Sequence, residues 1–484
     1  MPDDSPTQAH MMRLSAILTL LLLTLPSHAQ ELPPQTPLSG QNPFGIVEGM
    51  WFPTTTCDLG VGWERIIFDW GQHQPEGPDD WHTLNVDDRW LRAASACNRE
   101  VVAVIKNVPA WATDGSPGIG VPRGLDLPLD DPGNLWAGFM RKAAAYYAPR
   151  GVRRFIILNE PDIDHQTYGF EFEGEVEDYY NILRIAYLAA HQGNPAARIH
   201  LAGTTYWHDV NAGRRLYVDQ LFERILVDPA AAANGYYFDA LSLHIYFRSE
   251  SIPFVVGHMR EVLEKYGLGD KPIWINEYNT SPNLDPAWPV TRPQFQVNLA
   301  QQQAFLVQAT VLALASGVER MAVYKLWDQN ADPAIETFGL LTPGQDDRAP
   351  RPAFYTYRAL VRYFQGVSST QWAVNPAVYA VILTHADGHQ TLVVWARTAS
   401  PATLAVDGPD GKALSLDLLG NLSVSVPDQS ATLPGATCDD KDGCAVGGPP
   451  LILMFPPGEI TLREGATVLN WQTGTPASSL TVAR

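Results

Sequence analysis

Phe155-Ile156-Ile157-Leu158-Asn159-Glu160-Pro161-Asp162 joins an unbroken apolar run to an amide, a carboxylate and a proline. The run lacks the alternation of a half-exposed strand. It therefore reads as a strand buried on both faces, as in parallel sheets covered by helices. Pro161 has no backbone N–H with which to continue a ladder, so the chain must leave the sheet there. A glutamate is thus carried to the C-terminal end of a buried strand. Pro272-Ile273-Trp274-Ile275-Asn276-Glu277-Tyr278-Asn279 repeats the arrangement. In a sheet built from strand–helix units such ends gather on one rim.

Outward from these stretches, short runs rich in Val, Ile, Phe and Trp alternate with helical patterns. Strands are predicted at 44–52, 63–70, 100–105, 152–158, 198–203, 238–246, 272–275 and 320–327. Apolar residues recurring at three and four predict helices at 54–59, 87–97, 135–147, 176–191, 214–226, 256–266, 295–315 and 353–364. Within 299–315 one helix face is continuously apolar. Eight alternations with right-handed crossovers predict an α/β fold, a TIM (β/α)8 barrel over 44–365, with the two quoted runs as its fourth and seventh strands. An open doubly wound sheet is the rival architecture, but Gly45-Ile46-Val47-Glu48-Gly49 is not the Gly-rich loop that fold carries after its first strand. From 366 the period changes to two, with Asp-Gly, Pro-Asp-Gly and Gly-Asn turns, which predicts a C-terminal all-β sandwich over 366–484.

Arg13, the apolar run Leu14–Leu25 and Ser27-His28-Ala29 have the layout of a secretory signal, with cleavage expected after Ala29; an uncleaved anchor is the alternative. Residues 30–43 form a Pro-rich leader. Export fits an even number of cysteines. The expected disulfides are Cys57–Cys97, tying the first two helical segments, and Cys438–Cys444, closing a polar turn; free buried thiols are the alternative. The chain has 33 Lys and Arg against 52 Asp and Glu, a net charge of −19, so nucleic acid would be repelled. No later segment is apolar and long enough to cross a membrane, and the sequence leaves the oligomeric state open.

Two carboxylates on one rim suit cleavage of a glycosidic bond. One protonates the leaving oxygen while the other attacks the anomeric carbon or activates water. Either glutamate alone could be a rim ion pair; together, each behind an Asn at the end of an apolar strand, they point to one site. Mutual repulsion in a shared pocket also raises the pKa of the carboxyl that must hold the proton. These motifs resemble those of the clan-A retaining glycosidases, whose acid/base glutamate stands in Asn-Glu-Pro after strand four and whose nucleophilic glutamate ends strand seven. The likeness covers 44–364 and extends to Gly62–Trp70 and Leu243–Tyr246. Phe338–Thr342 and Arg351–Tyr355 are similar to the eighth-strand region of family 39, the β-xylosidase family, and strand two is comparable to family 5.

The resemblance implies Glu160 as acid/base and Glu277 as nucleophile in a double displacement on O-glycosidic bonds, β-linked ones above all, of oligo- or polysaccharides. It implies that Asn159 binds the sugar 2-hydroxyl, that Arg65 holds Glu277 ionised and that Tyr246 donates to it. His244 would line the same wall and Trp327 would be the floor under the sugar. Trp70, Trp111 and Trp207 are further candidates for saccharide contacts in the cleft loops. A transglycosylase with the same covalent intermediate and a non-catalytic saccharide-binding barrel are the alternatives. HExxH, P-loop, dinucleotide and GxSxG signatures are missing, so neither cofactor nor metal is expected, and Asp439, Asp440 and Asp442 read as a solvated turn rather than a calcium site.

Overall fold

The computed structural model describes residues 42–167, 169–288, 290–291, 296–329, 335–344, 348–425, 430–437 and 444–476. The signal and nearly all of the leader, Cys438 and the Asp439–Asp442 turn lie outside them.

Eight parallel strands, β1 (Phe44–Val47), β2 (Trp63–Asp69), β3 (Glu100–Lys106), β4 (Arg154–Ile157), β5 (Arg198–His200), β6 (Leu241–Tyr246), β7 (Ile273–Asn279) and β8 (Arg320–Val323), stand in the order 5-4-3-2-1-8-7-6. Parallel bridges His200↔Ala240 and Thr204↔Leu243 join β5 to β6 and close the ring. It is a (β/α)8 barrel. Helices α1 (Pro53–Leu59), α2 (Asp88–Ala96), α3 (Leu135–Tyr147), α4 (Val176–Gly193), α5 (Tyr217–Leu226), α6 (Ser251–Lys265), α7 (Leu299–Ala315) and α8 (Pro352–Tyr363) follow the strands in turn.

Their ends are set by local chemistry. Asn134 and Asn298 cap α3 and α7 by accepting from the backbone N–H of Ala137 and Gln301. Helix α6 begins at Ser251, ahead of the predicted 256, because Pro253 falls in its first turn, where a missing N–H costs nothing. Cys57 and Cys97 are bonded and tie α1 to the C-terminal end of α2. Cys444 is also disulfide-bonded.

The barrel interior is filled rather than hollow. Val47, Trp63, Val102, Val104, Ile156 and Trp274 form one buried cluster. Gly45 makes room for the Trp63 indole, since a Cβ there would lie 2.3 Å from its ring. Arg154 and Arg320 lie over Trp274 and both bond Glu100, plugging the end remote from the strand C-termini.

Beyond the barrel, β9 (Val367–Val374), β10 (Val378–His385), β11 (Gln390–Ala396), β12 (Ala402–Asp407), β13 (Ala413–Leu416), β14 (Leu422–Ser425), β15 (Ala431–Leu433), β16 (Leu451–Phe455), β17 (Thr461–Glu464) and β18 (Thr467–Val468) form two antiparallel sheets. Alternation along β10 decides how they pack. Tyr379, Val381 and Leu383 join the apolar core of the barrel helices, whereas Val378, Ala380 and Ile382 face the second sheet. The six-stranded sheet is therefore a middle layer, covered on both faces. This corrects the reading of α7 as apolar on one face: from Gln302 to Ala313 every residue is buried. Barrel helices cover one side and β9 and β10 the other. Gln303 and Gln308 find partners inside. Gln308 accepts from Ser249 Oγ (2.9 Å) and donates to the carbonyl of Gly448 (2.9 Å), linking barrel to sandwich. Arg397 adds a bidentate pair to Glu250.

Candidate active site

Four strands around the barrel contribute to one site: Arg65 on β2, Asn159 and Glu160 just past β4, His244 and Tyr246 on β6, and Glu277 on β7. Glu160 is aimed by backbone strain. Leu158 (φ 62°) and Glu160 (φ 42°) are left-handed, a conformation that costs a non-glycine residue about 1–3 kcal/mol and collects at functional sites. Backbone hydrogen bonds hold it there: Leu158 N–H to the Ile105 carbonyl (2.9 Å) and Glu160 N–H to the Gly203 carbonyl (3.1 Å). Glu277 is aimed by a bulge. Leu243 pairs with Ile275 but His244 pairs with Glu277, so Asn276 is the extra residue. A bulge re-aims the side chain that follows it, and here it brings Glu277 beside His244. The two Asn-Glu steps are thus different devices. Asn159 accepts from Arg65 Nη2 at 2.5 Å, whereas the buried amide of Asn276 has no hydrogen-bond partner.

The carboxylates converge. Arg65 Nη1 donates to Glu277 Oε1 at 2.5 Å, and the Tyr246 hydroxyl donates to Glu277 Oε2. His244 Nδ1 stands 2.6 Å from Glu160 Oε1 and 3.5 Å from Glu277 Oε2. One oxygen of each carboxyl and this nitrogen all lie within 4.8 Å of one another. Burial pushes the Glu277 carboxyl up, but the charges of His244 and Arg65 and the Tyr246 hydrogen bond outweigh it, holding the group below its usual range. Burial pushes His244 down, and the fields of Glu277 and Glu160 reverse this, raising it. Tyr246 is raised by burial and by Glu277, so its phenol keeps the proton it donates. Glu160, His244 and Glu277 are metal-ligand types, but both Glu277 oxygens are already engaged, one by a guanidinium that would repel a dication. The set is better suited to proton and nucleophile chemistry.

Residues 134–342, which hold both glutamates, match the family model of the glycosyl hydrolase catalytic core. The fold recurs in solved structures. A family 39 glycoside hydrolase from Bacteroides cellulosilyticus WH2 is 16% identical with a TM-score of 0.65, over 86% of this chain and 81% of that one. A monomeric β-xylosidase from Caulobacter crescentus CB15 is 13% identical with a TM-score of 0.55, over 86% and 97%. A family 30 endoxylanase from Clostridium papyrosolvens C71 is 14% identical with a TM-score of 0.54, over 88% and 97%. At these identities the likeness is one of fold. No curated protein matches the chain.

Within the barrel the predicted aromatics fare differently. Trp70 departs from the expected place in the cleft. It is fully buried, its indole N–H donates to Gln74, and its ring packs on Trp136 and Phe139. An enclosed ring cannot meet a sugar. Trp111, half-buried, packs edge-on against Trp70, and Trp207, also half-buried, stacks on Phe254. Trp327 is 5% exposed and lies against Trp51, Phe52 and Arg348. The ring beside the carboxylates from the β8 side is Tyr324, 5.9 Å from Tyr246 and within the field of Glu277. Sequence reading missed Tyr324 because strand β8 is only four residues long and the indole was the more conspicuous ring.

Gly203 was also missed, and nothing in the sequence singled it out. A Cβ at this position would lie 2.0 Å from His244 Nε2. Gly203→Ala should therefore displace His244, break its bond to Glu160 and lower kcat by about 10²-fold, the scale of a 1 Å misplacement, in a protein that still melts cooperatively. An alanine variant with parent kcat would show that the imidazole position does not matter.

His244 also predicts the pH profile. The acid limb of kcat/KM reports ionisation of the free enzyme's base. With Glu277 as the carboxylate that must be ionised, the limb should fall below pH 4.5, the carboxyl's usual value. His244→Asn removes the largest charge holding Glu277 down, so the limb should move up. For stability the sign is fixed by the raised pKa of His244. Its contribution is complete below 6.5 and is lost as pH rises through the higher folded value, and the Asn variant should lack that loss in urea titrations.

Proposed function

We propose that the protein is a secreted retaining glycoside hydrolase acting on O-glycosidic bonds of neutral oligo- or polysaccharides. The observation that carries this reading is the approach of a Glu160 oxygen to a Glu277 oxygen within 4.8 Å. Retaining enzymes hold their carboxyl groups about 5–5.5 Å apart, whereas inverting enzymes need about 6.5–9.5 Å to admit water between them. Glu277, held ionised by Arg65, His244 and Tyr246, attacks the anomeric carbon as its bond to the leaving oxygen breaks. Glu160 gives that oxygen a proton. In the second half Glu160 takes a proton from water, whose oxygen displaces Glu277, and configuration is retained. His244 stands 2.6 Å from Glu160, and its charge favours the ionised state of Glu277, which suits a nucleophile.

A glycosidase has no use for the charge balance needed to approach phosphates, and the net charge of −19 suits a neutral substrate. Secretion is supported by the signal pattern ending at Ala29 and by the Cys57–Cys97 disulfide. The purified mature protein, incubated with 4-nitrophenyl β-D-xylopyranoside, β-D-glucopyranoside and α-L-arabinofuranoside, should release 4-nitrophenol from at least one. Proton NMR in the first minutes should show the product anomer matching the substrate. First appearance of the opposite anomer would refute retention, and inertness on all substrates would refute the activity.

A further inference from the structure

Glu48 and Lys325 are a pair that the mechanism above leaves unused. Glu48 follows β1 and Lys325 follows β8, neighbouring strands on the same rim as the catalytic carboxylates. Lys325 Nζ lies 3.2 Å from Glu48 Oε2, and the side chains remain 16% and 20% exposed. The pair is anchored beside the carboxylates. The Glu48 backbone N–H donates to the carbonyl of Arg65 (3.0 Å), the residue that grips Glu277. Lys325 lies 5.4 Å from the Tyr324 ring, whose phenol stands in the fields of both Glu277 and Glu48.

Two features set this pair apart from an ordinary rim ion pair. The first is strain. Glu48 has φ 57°, and of the nine non-glycine residues with positive φ among the described residues, six (Glu48, Asn107, Leu158, Glu160, Tyr206 and Phe247) follow barrel strands at the mouth. A partly exposed ion pair contributes little to stability, which does not account for a glutamate held left-handed. The second is unspent hydrogen-bonding capacity. Among the described residues Lys325 Nζ has Glu48 as its one hydrogen-bond partner, leaving two of three ammonium protons, and Glu48 Oε1 accepts from no protein donor.

We propose that Glu48 and Lys325 form a clamp for two adjacent hydroxyls of the sugar ring docked against Glu277, an inference that rests on the glycosidase reading. A vicinal diol offers a donor on one carbon and an acceptor on the next. Glu48 accepts a hydrogen bond from the first hydroxyl, and Lys325 donates one to the oxygen of the second. The pair is neutral as a whole, so the ligand class is an uncharged pyranose or furanose with neighbouring free hydroxyls.

The test compares the parent with Glu48→Gln and Lys325→Met on the most active of the three 4-nitrophenyl glycosides above and on its monodeoxy analogues. Hydrogen bonds to charged groups predict that removing a clamped hydroxyl costs the parent about 10- to 100-fold in kcat/KM. Each variant should lose a similar factor on the full substrate but lose little more on the analogue lacking its own hydroxyl, and Lys325→Arg should recover part of the loss. Folded variants within twofold of the parent, or variants that keep the whole deoxy penalty, overturn the clamp while leaving the glycosidase standing. A parent inert on every glycoside overturns both.

Discussion

Glu277→Ala should lower kcat on an activated aryl glycoside by about 10⁴-fold or more, and sodium azide should restore a large part of it. The reasoning is geometric. The Glu277 carboxylate is nearly fully buried, bound on one oxygen by Arg65 and on the other by Tyr246. Truncation removes the nucleophile and leaves a carboxylate-sized space beside an unpaired guanidinium, a setting that attracts a small anion. Azide entering there attacks the same face of the anomeric carbon, and the leaving group still takes its proton from Glu160. The product should be a glycosyl azide of inverted configuration. Unimpaired turnover in the variant would remove Glu277 from the mechanism, and loss of activity without azide rescue in a folded variant would point to a supporting role.

Deleting 366–484 should leave no soluble, cooperatively folded barrel. Removal of a detachable module exposes a polar surface, but here it would bare the α7 flank that packs on β9 and β10, together with the apolar partners of Tyr379, Val381, Leu383 and Trp395. It would also strip Gln308 of the Gly448 carbonyl and Glu250 of Arg397. Leaving the buried Gln308 amide without that acceptor costs about 1–3 kcal/mol, and the exposed apolar area invites aggregation. Expression of 30–365 alone, followed by size exclusion and near-ultraviolet dichroism, checks this. A monomeric barrel with native tertiary signals would show the sandwich to be independent.

The barrel was legible because each strand is a short apolar run between helical periods, and burial on both faces leaves no other reading for Phe155–Leu158 or Pro272–Ile275. Glu160 and Glu277 were legible for the same reason, as carboxylates at the points where those runs stop. What was hidden depends on contacts across the barrel. The burial of Trp70 follows from Trp136 and Phe139 on α3, which no local pattern reveals. The role of Gly203 depends on the His244 ring from the neighbouring strand, and that of Glu48 on a lysine 277 residues away. Helix α7 looked amphipathic because its glutamines count as polar, yet Gln303 and Gln308 are buried and bonded. Polarity at a position reports what a side chain can bond, not whether water is the partner.

The measurement closest to the central claim is covalent trapping. A 2-deoxy-2-fluoro glycoside with a good leaving group, matched to the sugar the protein turns over, forms the glycosyl–enzyme readily and releases it slowly. Intact mass spectrometry should show one added glycosyl unit, and peptide mapping should place it on Glu277. Turnover of the parent glycoside with no adduct, or an adduct on any other residue, would contradict the account.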